Sequence, residues 1–365
     1  MNKVEKMRKN KRVIVAMSGG VDSSVSAALL KKSGYDAIGV FMKCWSSEPC
    51  SAEEDETWAR RAAARIGMRF YSVDLVAEYK NRVFDYFITE YKAGRTPNPD
   101  IMCNREIKFG VFYDWAISEF GADYIATGHY ARLELGGADK LRLLKGKDPN
   151  KDQSYFLWAV PREKFAKVIF PVGDYLKTEV RALAKKFGLP NAGRADSQGV
   201  CFVGEFPMGF FLQRYIRDHP GPIFNNKGES IGEHRGLHYY TIGQRRGISI
   251  GGGPPYYVAQ KDFVRNALVV AREYDEELFQ KNAVALNANW INCPFALRGR
   301  GEGKSISCRA KIRYRHPDQD VIIERADALG NLYIKFAQPQ RAVTPGQSIV
   351  FYRGDGLLGG AIING

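Results

Sequence analysis

Between the apolar run Arg12–Met17 and a helical pattern that begins at Val21 lies Ser18-Gly19-Gly20-Val21-Asp22-Ser23-Ser24. This junction constrains the chain most. An apolar run of that length reads as a buried strand, and Val21, Val25, Ala28 and Leu29 recur at helical spacing until Gly34 closes the helix. Two glycines between strand and helix let the backbone approach an anion closely, while serine hydroxyls and helix N-terminal N–H groups supply donors. The bland alternative is a Gly-Gly turn with Asp and Ser capping the helix. The chain lacks G-x-x-x-x-G-K-[ST], so the loop is not of the kind that moves a γ-phosphate.

The rhythm repeats downstream. Ala37–Met42 is a second strand, a helix around Trp58, Ala62 and Ile66 leads to a third strand at Phe70–Leu75, and Asp123–Thr127 is a fourth. Between the last two, Tyr79, Val83, Phe87 and Tyr91 mark one helix face. Strands alternating with helices of this length predict an α/β fold with a parallel sheet covered on both faces, its ligands beyond the carboxyl ends of the strands. From about Gly204 the rhythm breaks. Pro220–Tyr257 is rich in Gly, Pro, His and Tyr, with no long periodic helix. After about Asn282 the pattern is all β, with short strands at Ile306–Arg315, Val321–Arg325, Leu332–Phe336 and Ile349–Arg353, which suggests a small barrel or sandwich. A chain of 365 residues suits two or three domains.

Composition narrows the function. No run of about 18 apolar residues is present, so no membrane span or membrane partner is expected. The basic segment Met1–Arg12 lacks an apolar h-region and carries Glu5, which points to the cytoplasm, with a mitochondrial location as the alternative. The net charge of +14 suits a polyanionic partner. Strand Cys308–Arg315 alternates Arg309, Lys311, Arg313 and Arg315 with Cys308, Ala310, Ile312 and Tyr314, which would put four cations on one face. That face is either solvated surface or a track for phosphates.

Six cysteines without a secretory signal imply a reducing compartment, where a conspicuous thiol is a candidate for chemistry. Cys103 follows Thr96-Pro97-Asn98-Pro99-Asp100-Ile101-Met102, where Asp100 can cap a helix whose first turn would lower the thiol pKa. Cys201 follows Asp196-Ser197-Gln198-Gly199-Val200. Cys44, Cys50, Cys293 and Cys308 read as small buried hydrophobes. No C-x-x-C pair and no Cys/His pair at zinc spacing occurs, so no metal site is assigned. An iron–sulfur cluster on Cys103, Cys201 and a carboxylate such as Asp100 stays open but is not favoured.

The loop SGGVDSS resembles the PP-loop of the N-type ATP pyrophosphatases, which adenylate an oxygen and release pyrophosphate. With TPNPDIMCN, Gly39–Met42, Ile107–Phe109, Thr127–Tyr130, Lys151–Tyr155, DSQGVCFVG, Tyr240–Arg245, Arg313–Arg315 and Pro345–Gln347 in order, the whole chain resembles the tRNA-specific 2-thiouridylase family. Val200 and the segment after Trp45 depart from it. The resemblance implies a PP-loop catalytic domain (residues 1–205), a small central adapter domain (206–281) and a C-terminal β-barrel that binds tRNA (282–365). It implies ATP, with Mg²⁺, held by Ala16, Met17, Ser18, Gly19, Gly20, Val21, Asp22, Ser23, Met42 and Gly128. It assigns the target base to Asn98, Pro99 and Asp100, and further tRNA contacts to His129, Lys151, Asp152, Gln153, Arg313, Tyr314 and Gln347. Cys201 would carry a persulfide loaded by a desulfurase or relay protein, and Cys103 would be its partner thiol. Asp100, three residues earlier, would move protons. The implied reaction is ATP-dependent sulfur transfer to C2 of the wobble uridine. Rival readings are a PP-loop ligase for a small molecule, a different tRNA thiolase, and a non-catalytic RNA-binding protein.

Overall fold

A computed structural model describes residues 11–46, 52–135, 141–195, 208–248, 250–251, 253–292, 305–327 and 330–364. The N-terminal part is built on β1 (Arg12–Ala16), β2 (Asp36–Lys43), β3 (Arg69–Asp74), β4 (Tyr124–Ala126) and β7 (Val168–Ile169). These pair all-parallel in the order β3-β2-β1-β4-β7. Alternate residues of β1 serve two different cores. Ile14 and Ala16 join one cluster with Ile38 and Val40, and Val13 and Val15 join another with Ala37 and Phe41. Burial on both faces explains why the strand reads as a continuous apolar run rather than an alternation. Helices α1 (Val21–Lys32) and α2 (Ala52–Ile66) cover the second face.

The first face is covered by α3 (Val76–Tyr79), a π-helical turn (Lys80–Phe84) and α4 (Asp85–Lys92), then by α5 (Pro99–Met102), a π-helical stretch (Cys103–Val111) and α6 (Phe112–Glu119). Tyr79, Val83, Phe87 and Tyr91 are all buried, as their spacing predicts. A strict spacing of four drifts about 40° per step around a regular α-helix. The π-turn between Tyr79 and Asp85 widens the helix and takes up part of that drift.

The order reverses between β1 and β4, so chain leaving their carboxyl ends opens the crevice where ligands of such sheets bind. The central part is a four-stranded sheet of β8 (Gly221–Phe224), β9 (Ser230–His234), β10 (Tyr257–Asp262) and β11 (Ala267–Ala271), with its own core of Ile223, Leu237, Val258 and Leu268. The C-terminal part is a barrel rather than a sandwich: β12 (Phe279–Trp290), β15 (Leu332–Arg341), β14 (Gln319–Ala326), β13 (Ile306–Lys311), β16 (Ser348–Arg353) and β17 (Gly356–Ile363) close through β12–β17. A hairpin from the N-terminal part, β5 (Ala131–Leu135) with β6 (Leu141–Lys145), extends this sheet at Leu144↔Gly356.

One expectation fails here. β13 stops at Lys311, and Arg315 adopts φ 65° in the connection to β14. Tyr314 turns to pack against Phe156, with ring centroids 4.4 Å apart and the rings tilted by 48°, and the Arg313 guanidinium donates inward to Ala342 O at 2.5 Å and Thr344 Oγ1 at 3.3 Å. Lys311 is nearly buried, 3.8 Å from both Asp152 and Asp318, while Arg309 is exposed and paired with Asp320. The four cations therefore do not share one face.

Candidate active site

The nucleotide loop leaves β1 and enters α1 with Gly20 as N-cap. A glycine has no side chain to fold back on the first-turn N–H groups, which leaves them for an anion. Serines brace the loop from within. Ser23 Oγ donates to Gly20 O (3.1 Å) and accepts from Ser18 N–H (3.2 Å), and Ser24 Oγ donates to Gly20 O (3.0 Å). Ala16 and Met17 are buried at the end of β1, and Met42 is half-buried near the end of β2. Gly128 follows β4, where a Cβ would lie 2.7 Å from Ser23 N. The proposed nucleotide residues thus come together at the carboxyl ends of three adjacent strands.

Three further side chains complete this loop: Tyr130, read from the sequence only as part of a motif, and Lys177 and Asn191, which the sequence did not single out. Lys177, first residue of α7 (Lys177–Lys186), places Nζ 2.7 and 2.8 Å from the two Asp22 carboxylate oxygens. The Tyr130 hydroxyl donates to Asp22 Oδ1 at 2.8 Å. Asn191, 1 % exposed, donates to Gly19 O at 2.8 Å and to Ser24 Oγ at 2.9 Å.

Cys103 is buried and begins the π-helical stretch. Asn98, not Asp100, caps its helix: Asn98 Oδ1 accepts from Asp100 N–H (3.1 Å) and Ile101 N–H (3.4 Å), with Pro99 in the first helical turn. Cys103 N–H is already bonded to Pro99 O and Asp100 O, so the thiol lies just past the first turn and gains less from the helix dipole than its sequence setting suggested. Asp100 is open to solvent at one side but crowded by protein around it. The crowding raises its carboxyl above the ordinary range, and Lys108 opposes the rise.

His129 packs against the Phe109 and Phe170 rings, which also touch each other, with Nδ1 2.6 Å from Thr127 Oγ1. Burial, reinforced by Lys108, pushes its pKa well below the usual value and keeps the ring neutral. Lys108 thus acts on both Asp100, in the thiol helix, and His129, beside the nucleotide loop. His129 also links the two elements by contact, since it follows Gly128 at the nucleotide loop and packs on Phe109 of the stretch that Cys103 begins.

The remaining expected contacts lie toward the barrel. Asp152 is 5 % exposed; its Oδ1 accepts from the Gly146 and Ser154 N–H groups at 3.0 and 3.1 Å. Gln153 Oε1 accepts from Tyr130 N–H at 3.0 Å. Lys151, Asn150, Lys311, Arg315, His316 and Asp318 line a cleft of about 520 Å³ between this loop and the barrel. Gln347 Nε2 donates to Thr96 O at 2.7 Å, just before the Asn98 cap. Cys201 lies outside the described residues, as do Cys50 and Cys293.

An all-parallel sheet with a glycine-rich, uncapped loop at its switch point, carrying Asp22 and three serines, defines a nucleotide-binding domain of the PP-loop class. Family models described as a tRNA methyl transferase HUP domain, a tRNA methyl transferase PRC-barrel domain and an aminomethyltransferase beta-barrel domain match residues 11–205, 209–272 and 281–363. The tRNA-specific 2-thiouridylase MnmA 1 of Geobacillus kaustophilus is 49% identical over 364 residues, covering 98% of this chain and 96% of that relative. The tRNA-specific 2-thiouridylases MnmA of Shouchella clausii and Pseudomonas aeruginosa are 48% and 50% identical over 367 and 365 residues, covering 98% and 97% of this chain and 98% and 95% of the relatives. The chain belongs to the tRNA-specific 2-thiouridylase family, whose domain uses ATP.

Proposed function

We propose that this protein uses ATP to replace the C2 oxygen of the wobble uridine of tRNA with sulfur. The observation that carries the reading is adjacency: Gly128 lies against Ser23 of the nucleotide loop, and the next residue, His129, packs on Phe109 of the stretch that Cys103 begins, with ring centroids 5.8 Å apart. The family models carry the words methyl transferase and the relatives carry 2-thiouridylase. The residues favour the second. Methyl transfer from a sulfonium donor needs neither an ATP loop nor a thiol, and this site offers both.

In the proposed mechanism the uridine leaves its stack and lies against Asn98, Pro99 and Asp100. Its C2 oxygen attacks the α-phosphorus of ATP, and pyrophosphate leaves toward the N–H groups of the α1 N-terminus. Mg²⁺, when bound, would neutralise charge on that leaving group; Asp22 is the carboxylate at the loop and would have to exchange its Lys177 contact for the cation. A persulfide on Cys201 attacks the activated C2, and AMP departs with the former uridine oxygen. The Cys103 thiolate then attacks the Cys201 sulfur of the resulting C2–S–S–Cys201 link, leaving thiocarbonyl on the base and a Cys103–Cys201 disulfide for a thiol reductant to reopen. Alternatively, Cys103 attacks the persulfide first and releases sulfide, with the same final disulfide. Asp100, with its raised carboxyl, exchanges the protons of these steps. The reading gives both thiols to sulfur transfer rather than to an iron–sulfur cluster, and it requires a persulfide donor, a desulfurase or a relay protein. Asp152 and Gln153 act in it by holding the Lys151 loop toward the RNA, not by facing phosphate themselves.

The test is isotopic. With labelled oxygen at C2 of the target uridine, the label should appear in the phosphate of AMP. Label in water instead, with AMP unlabelled, would exclude adenylation of that oxygen.

A further inference from the structure

The central domain takes no part in the chemistry above, yet its β10–β11 hairpin reaches the start of the base-facing loop. Helix α4 ends at Ala93–Gly94, with Gly94 at φ 74°. A helix C-terminus presents carbonyl oxygens and partial negative charge. Lys261, near the end of β10, donates from Nζ to Gly94 O at 3.0 Å. Phe263, in the turn of the same hairpin, covers Gly94 so closely that a Cβ there would fall 1.8 Å from its ring. Burial lowers the Lys261 pKa to about 8, and among the described residues no carboxylate is paired with it. A cation kept in such a place weakens the fold unless its contact serves another end.

Two residues on, Thr96 is tied from both sides. Its hydroxyl lies 3.3 Å from that of Thr241 in the central domain. Its N–H donates to Pro345 O at 2.9 Å, and its carbonyl accepts from Gln347 Nε2 at 2.7 Å, both in the barrel. Every polar group of Thr96 is thus spent on another domain, and Asn98, Asp100 and Cys103 follow within seven residues.

We infer that the central domain is a brace for the reaction, and that Lys261 is a positioning residue: by holding Gly94 O it sets the path of residues 94–98, and through them the base-facing Asn98–Asp100 and the Cys103 thiol. The inference rests on the proposed roles of those residues, and its test separates the two. Lys261→Met in the full chain keeps the apolar stem and removes the ammonium. Thiolation kcat should fall about tenfold, as expected for a small misplacement of reacting groups, while KM for tRNA and ATP stays within about twofold. Alkylation of Cys103 by iodoacetamide, followed by mass spectrometry of its peptide without tRNA or ATP, should be several-fold faster. Lys261→Arg should restore both. Thr241→Val, which removes a hydroxyl partner and keeps the size, should speed alkylation in the same direction and serves if the lysine variant fails to fold. Unchanged kcat and unchanged Cys103 reactivity overturn the brace, as does weakened tRNA affinity at constant kcat, which would make Lys261 a nucleic-acid contact. Because alkylation needs no turnover, faster alkylation with no thiolation activity in the parent protein would sink the sulfur-transfer reading alone.

Discussion

Replacing Gly128 by alanine tests whether the nucleotide loop is held as tightly as the geometry requires. The added Cβ would lie 2.7 Å from Ser23 N and 3.0 Å from Asp22 C, both backbone atoms in the first turn of α1. Ordinary contact begins near 3.4 Å, so loop and helix must separate by about 0.7 Å, the difference of the two distances. No flexible side chain can absorb this, because the obstacle is the backbone of Asp22 and Ser23 itself. Overpacking of this kind costs about 1–3 kcal/mol of stability. A displacement approaching 1 Å at a reacting phosphate lowers kcat/KM by about 10- to 100-fold. Gly193 is the control: a Cβ there meets nothing within 4 Å. ATP affinity by equilibrium binding, single-turnover rate and thermal midpoint should all fall in Gly128→Ala and stay put in Gly193→Ala. Parent-like ATP binding and stability in Gly128→Ala would refute the reasoning, since the 127–129 turn would then be free to retreat.

Other consequences follow from charge and thiol placement. Asp100 has a raised carboxyl, so the folded state binds its proton more tightly than the unfolded chain; stability is fully present below the ordinary carboxylate pKa and falls as pH rises through the raised one. Asp100→Asn should therefore lose turnover but gain thermal stability at pH 7, with the gain vanishing in acid; loss of stability at pH 7 would contradict the raised pKa. Cys103→Ser should still accept sulfur at Cys201 and fail to transfer it, whereas Cys201→Ser should carry no persulfide; mass spectrometry showing persulfide on Cys103 alone would invert the roles. Arg315→Glu, in the exposed cleft, should flatten the dependence of log K for tRNA on log salt by about one unit, whereas an unchanged slope would show that the cleft binds no phosphate.

What the sequence revealed depended on whether a contact repeats. The parallel sheet was legible because β1, β2 and β4 are apolar on both faces, and the helix over 76–92 because Tyr79, Val83, Phe87 and Tyr91 repeat a spacing. The β5–β6 hairpin was equally available, since Ala131–Leu135 alternates apolar and charged residues and is separated from the apolar Leu141–Lys145 by a segment containing Gly136-Gly137. Asn98 as the cap was legible too, because proline favours the first helical position and so marks the residue before it. Single long-range contacts leave no pattern. Lys177 meets Asp22 across 155 residues, and Gln347 meets Thr96 across 251. The supposed cationic face failed for the same reason: alternation alone cannot show that Arg313 is drawn inward by the carbonyl of Ala342, 29 residues away.

The most direct measurement is nucleoside mass spectrometry of unmodified tRNA incubated with the purified protein, ATP and a persulfide donor. The proposed function requires 2-thiouridine at the wobble position, absent without ATP and accompanied by AMP and pyrophosphate in step with the sulfur incorporated. A methylated nucleoside, or sulfur incorporated without ATP cleavage, would contradict it.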